Sequence, residues 1–201
     1  LHYPLRRQRQ MCIRDRYARY VDPVRQAGPA ALALECQPRL APLLETLQGV
    51  DQVLPAGSPL PDFDVHAPLL SLPRILRTTL ETVPARVPYL SADPSRVETW
   101  GCRLAGARGF RVGLAWGGNP DYKNDRNRSI PLRALAPLAQ IPQLDFFSLQ
   151  KGPAATQLTS PPQGFRITNL EEEAGQITDT AAAILNLDLV ISVDTMVAHL
   201  A

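Results

Sequence analysis

Three apolar runs in the second half of the chain limit its fold more than any other feature. "FRVGLAW" (Phe110 to Trp116), "LDFFSLQ" (Leu144 to Gln150) and "LDLVISV" (Leu187 to Val193) are short, and each gives way at once to glycine or polar residues. Runs of this length between turn signals read as strands buried on both faces. We place strands at Arg111 to Trp116, Asp145 to Leu149, Phe165 to Thr168 and Leu187 to Val193. Helices are expected from Pro131 to Ala139, weakly from Ala154 to Leu158, from Ile177 to Leu185, and opening at Asp194. Strands alternating with helices imply βαβ units and a parallel sheet covered on both faces.

The first half alternates in the same way. "YARYVDPVRQAG" predicts a helix ending at Gly28, "AALALEC" a strand, "PRLAPLLETLQG" a helix from Pro38 to Gly49, and "DQVLP" a short strand. The Pro-rich stretch that follows predicts one short strand at Phe63 to Val65. Asp93 and Pro94 start a helix, Pro being suited to the first helical position. The chain therefore divides into two α/β parts, residues 17–106 and 107–201, joined near Gly106 to Gly109.

Charge is unevenly spread. Six arginines (Arg6, Arg7, Arg9, Arg14, Arg16, Arg19) face only Asp15 within the first nineteen residues, whereas the whole chain carries +2. Such an arm could bind nucleic acid or an anionic membrane. However, "MCIRDR" (Met11 to Arg16) resembles a translated sequencing adapter, and residues 1–16 show no helical or strand period. They are read as a non-native or disordered arm, and no nucleic-acid partner is expected. Cys12, Cys36 and Cys102 are far apart and have no Cys/His spacing, which supports neither a disulfide framework nor a zinc site. The lack of a membrane-length apolar run or a secretory h-region makes the cytoplasm the expected location.

In parallel sheets ligands bind beyond the carboxyl ends of the strands. Three segments fall there. After the first run comes "GGNPDYKNDRNRS", where Gly117 and Gly118 allow close backbone approach, Asn119 offers an amide, and Lys123, Arg126 and Arg128 offer cations. Arginine's planar fork suits a phosphate. The same stretch is equally a turn with a solvated loop. After the second run, Lys151 in "SLQKG" either reaches a phosphate or ribose or is a turn lysine. After the third, a helix opening at Asp194 or Thr195 would turn its free amides toward an anion, with His199 one turn on. Alternatively, one of the two merely caps the helix and His199 is half-buried core. Glu171, Glu172 and Glu173 read as a solvated charge run.

Together, "VGLAWGGNPDYKNDRNRSIPL", "FFSLQKG" and "LDLVISVDTMVAHLA" resemble the C-terminal half of glycosyltransferase family 9, the heptosyltransferase-like proteins, especially the branch fused to tetratricopeptide repeats. They are distantly similar to the catalytic part of O-linked N-acetylglucosamine transferases. Residues 26–90 look like the matching N-terminal half. The resemblance implies a GT-B arrangement, two Rossmann-like domains with the nucleotide-sugar donor on the C-terminal one. It also implies inverting transfer without a metal or further cofactor, a saccharide or protein acceptor, and a place peripheral to the inner membrane face.

Arg128 matches the family's cation at the donor diphosphate, and Asp194, Thr195 and His199 match its D-[TS]-x-x-x-H element. The donor-binding set implied is Gly118, Asn119, Arg128, Lys151, Asp194, Thr195 and His199. The family's Gly-Leu-Gly-Asp stretch, which carries its candidate general base, has no counterpart in "MCIRDRY", and the family continues beyond the residue matching Ala201. The chain is thus expected to be a fragment with incomplete domains that binds donor but transfers little. Binding without turnover is the alternative. A nicotinamide oxidoreductase is disfavoured, because no G-x-G-x-x-G follows any strand.

Overall fold

The computed structural model of the protein describes residues 17–170 and 174–201. The expected arm at 1–16 and the run Glu171 to Glu173 lie outside these residues. The chain forms two units that divide between Ala92 and Asp93.

In the first unit, a 3-10 turn at Ala18–Tyr20 runs into helix α1 (Val21–Gln26). The chain leaves it through Gly28 at φ +83°, a conformation that suits glycine. Strand β1 (Ala33–Cys36) pairs in parallel with β2 (Gln52–Pro55) across helix α2 (Ala41–Leu44). The helix expected from Pro38 to Gly49 is shorter because turns replace both its ends. Its inward side chains Leu40, Leu43 and Leu44 are each 1% exposed and form the unit's core with Leu34, Cys36 and Leu54.

Asp51 fixes the entry to the sheet: its carboxylate accepts from the Leu32 amide at 2.6 Å and from Arg25 at 2.9 Å. These contacts, the amide foremost, hold its pKa below the usual carboxylate range.

The strand expected at Phe63 to Val65 does not form. Phe63 is 56% and Val65 86% exposed, and Pro61 and Pro68 flank them with no strand among the described residues alongside to complete a ladder. A 3-10 turn at Leu69–Ser71 and helix α3 (Leu72–Ile75) follow instead.

The second unit opens with helix α4 (Pro94–Leu104), capped by Asp93, whose carboxylate accepts from the Ser95 amide at 2.8 Å. This helix belongs to the second unit, so the division comes earlier than the junction expected near Gly106 to Gly109. The reason is packing against helix α5 (Ile177–Ile184). Asn186 just beyond α5 donates to the Val97 carbonyl at 2.9 Å, and Arg96 pairs with Asp179.

Strands β3 (Phe110–Ala115), β4 (Leu144–Ser148), β5 (Ile167–Asn169) and β6 (Leu189–Ser192) form one sheet in the order β5-β4-β3-β6. Every pairing is parallel, and Val112 stands between Phe146 and Leu189. Alternation along β3 puts Val112, Leu114 and Trp116 on one face, where they form a core with Leu132, Phe146 and Phe165.

Two expected helices are 3-10 segments instead. Leu132–Gln140 contains Pro137, whose missing N–H and ring disfavour continuous α-helical bonding, and Pro153–Thr159 is equally tight. The last helix, α6 (Met196–Leu200), starts two residues after the expected Asp194. The fold is α/β with parallel sheets, compatible with a Rossmann-like plan.

Candidate functional site

Because β3, β4 and β6 run in parallel, the three loops that follow them emerge at one edge of the sheet. At the β3 exit the chain passes through buried Gly117 to Gly118. A methyl on Gly117 would overlap the Ala154 side chain, and one on Gly118 would overlap the Asp125 carboxylate and the Arg128 guanidinium. Glycine is required at both positions by close approach. The Gly118 amide donates to the Ser129 hydroxyl at 2.8 Å, which folds the basic loop back over its own start.

Arg128 is the hub of this loop. Its Nε donates to Asp125 at 2.9 Å, and its guanidinium carbon sits 4.9 Å from the centre of the Tyr122 ring. Nη1 donates to the Asp194 carbonyl at 2.9 Å, so the guanidinium links the loop after β3 to the turn after β6. Nη2 lies beside Gly118. Asp125 also accepts from Ser129 at 2.9 Å, which places a carboxylate against the cation and fixes the fork in one orientation. The N–H groups of that fork beside Gly118 can donate to an oxyanion in the geometry arginine provides.

The turn after β6 holds the other expected residues. Thr195 is the N-cap of α6 with extended backbone, rather than part of its first turn. Its hydroxyl meets that of Ser192 at 3.1 Å instead of capping the helix. His199 lies one turn on, with Nε2 3.5 Å from the Asp194 carboxylate. Asp194 therefore touches the site twice, through its carbonyl to Arg128 and through its side chain to His199.

The remaining expected residues are more dispersed. Asn119 uses its side-chain oxygen to accept from the Asp121 amide and its carbonyl to accept from Tyr122, a local turn. Lys151 reaches the Ala174 carbonyl at 3.3 Å, on the β4–β5 side of the edge. Lys123 and Arg126 are exposed. Arg128, Gly118 and the Asp194–Thr195 turn are thus brought together, whereas Asn119 and Lys151 share the edge but bond elsewhere. Two concavities lie away from this cluster, one in the first unit and one beside Arg108 to Phe110 and Pro142 to Asp145, at the opposite ends of β3 and β4.

Sequence reasoning missed Gln150. It is 2% exposed; its Oε1 accepts from the Trp116 and Gly117 amides at 2.8 and 2.7 Å, and its Nε2 donates to the Gly117 and Lys151 carbonyls at 2.8 and 2.7 Å. All four amide positions are used, and the exits of β3 and β4 are tied together. The only sequence signal was a polar residue closing an apolar run. Asp125, Tyr122 and Ser129 were also missed; their signal is spacing, an acid three residues before Arg128 and four before a serine.

Among the described residues, no three His, Cys, Asp or Glu side chains cluster to hold a metal, and no helix is long and apolar enough to cross a membrane. No protein-family model matches the chain, and no curated protein or solved structure matches it either.

Proposed function

We propose that the protein binds the diphosphate of a nucleotide-sugar donor at the carboxyl edge of the β3-β4-β6 strands and acts as an inverting, metal-independent glycosyltransferase of the heptosyltransferase-like kind, with its two units in a GT-B arrangement. The observation that carries this reading is the 2.9 Å contact from Arg128 to the Asp194 carbonyl beside Gly118. It unites the two motifs that resemble the family's diphosphate element at the edge where parallel sheets bind ligands. A fixed guanidinium there offsets the charge that develops on the departing nucleoside diphosphate, as preorganised donors do. The donor set comprises Gly118, Asn119, Arg128, Lys151, Asp194, Thr195 and His199, with the Asp125 carboxylate holding Arg128 in place.

Titration calorimetry with ADP, UDP and GDP tests the reading. At least one is expected to bind saturably, and Arg128→Ala to weaken it about tenfold or more, the worth of one charge-assisted hydrogen bond. Lack of binding by all three would sink the proposal. A second reading, nucleotide-sugar binding without turnover, rests on "MCIRDRY" standing where the family has its Gly-Leu-Gly-Asp. Saturable donor binding with neither hydrolysis nor transfer would favour that reading over catalysis.

A further inference from the structure

A different cation, in the first unit, has no carboxylate partner among the described residues. Arg19 follows Ala18 in the 3-10 turn before α1 and lines a cavity of about 60 Å³ together with Arg86, Asp22, Thr46 and Gln48. One water needs roughly 10–15 Å³ of such volume, so the space suits a small polar group rather than a nucleotide. Among the described residues, the Arg19 guanidinium makes two contacts: Nη1 donates to the Pro84 carbonyl at 3.3 Å, and its carbon lies 5.4 Å from the centre of the Tyr89 ring. Its Nε is buried and has no hydrogen-bond partner among the described residues. A buried charged donor left unmade is costly, and native structures rarely keep one without a use.

The surroundings favour an anion. Arg86 lines the same cavity with its side chain 70% exposed and meets Asp22 at 3.3 Å, a loose and solvent-screened pair. Two guanidinium groups therefore face one carboxylate across the cavity. They come from segments 64 residues or more apart in sequence, α1 with its preceding turn and the Pro84–Ser91 stretch. A flat carboxylate matches one arginine fork, whereas a phosphoryl group presents oxygens in more than one plane and can meet both. The Tyr89 ring limits how the Arg19 fork can turn.

We propose that this cavity binds a phosphoryl group, held by Arg19 and drawn further by Arg86 as it exchanges Asp22 for the ligand. The site lies wholly within the first unit and is independent of the Arg128 cluster.

The test follows the Nε–H resonances of arginine in the full chain by NMR as inorganic phosphate is added at constant ionic strength, with acetate and chloride as parallel arms. Phosphate is expected to move the Arg19 Nε–H saturably, whereas acetate moves it far less and chloride leaves it in place. Arg86→Ala, a substitution at an exposed side chain, is expected to weaken the phosphate response about tenfold. Arg128→Ala is expected to leave it unchanged, which separates this site from the donor site. An Arg19 resonance that ignores phosphate overturns the proposal, as does equal response to acetate or indifference to Arg86→Ala. Arg19→Lys keeps the charge but loses the fork; a phosphate response of the Arg86 Nε–H that is undiminished in that variant would overturn the assignment to Arg19.

Discussion

Gln150 is a single residue on which two strand exits depend. Its side chain satisfies the amides of Trp116 and Gly117 inside a region that water does not reach. Gln150→Leu has nearly the same volume but leaves both amides buried and unpaired, at about 1–3 kcal/mol each. We expect a loss of at least about 2 kcal/mol in urea unfolding, with the nucleotide response of the Arg128 loop lost alongside. An unchanged midpoint would mean that solvent or another group replaces the amide. That role was invisible in the sequence because a glutamine after a strand reads as surface, and only the pairing of β3 with β4 brings it under the Gly117 backbone. Arg128 stood out in the sequence as one of three cations in a loop that read equally as a solvated turn, and only the structure shows it bonded to Asp125 and to the Asp194 carbonyl. Its Asp125 counter-charge did not stand out, because the loop's acids read as solvated.

Among the elements, α4 shows what local chemistry alone can specify. Asp93 and Pro94 marked its start in the sequence, and the carboxylate accepts from both the hydroxyl and the amide of Ser95 at 2.7 and 2.8 Å. These bonds, the hydroxyl first, hold the Asp93 pKa below the usual range. A depressed carboxylate stabilises the fold above its unfolded pKa of about 3.9, and that contribution fades as pH falls through the lower folded value. Asp93→Asn keeps a capping acceptor but cannot titrate. Its thermal midpoint is therefore expected to fall less steeply than wild type between about pH 5 and pH 3, whereas Asp93→Ala lowers the midpoint at neutral pH. Parallel curves for wild type and Asp93→Asn would show that the carboxylate's charge contributes nothing. The elements misread were those decided by partners far along the chain. Phe63 to Val65 has the apolar content of a strand and no strand to pair with, and Leu132–Gln140 has a helical pattern interrupted by Pro137.

For the whole molecule, the alternation of strand and helix was enough to read an α/β plan with parallel strands, since parallel neighbours need crossovers of the kind the apolar runs are spaced to supply. The boundary between the units was not legible, because Gly106 to Gly109 carries the turn signals, while the contacts that claim α4 for the second unit come from Asn186 and Asp179 on α5 and beyond. The two units differ in how their sheets are completed. β3 is hydrogen-bonded on both sides, and Val112 and Leu114 are 2% and 0% exposed. Among the described residues β1 and β2 pair only with each other, and a two-stranded sheet relies on the packing of one face. Local opening is governed by how many contacts an element must break, so amide exchange should rank the strands. Hydrogen exchange by mass spectrometry is expected to protect peptides spanning β3 longest, β4 next, and β1 and β2 least. Protection of β1 equal to that of β3 would mean that the leucines around α2 anchor the first unit as firmly as a full ladder anchors the second.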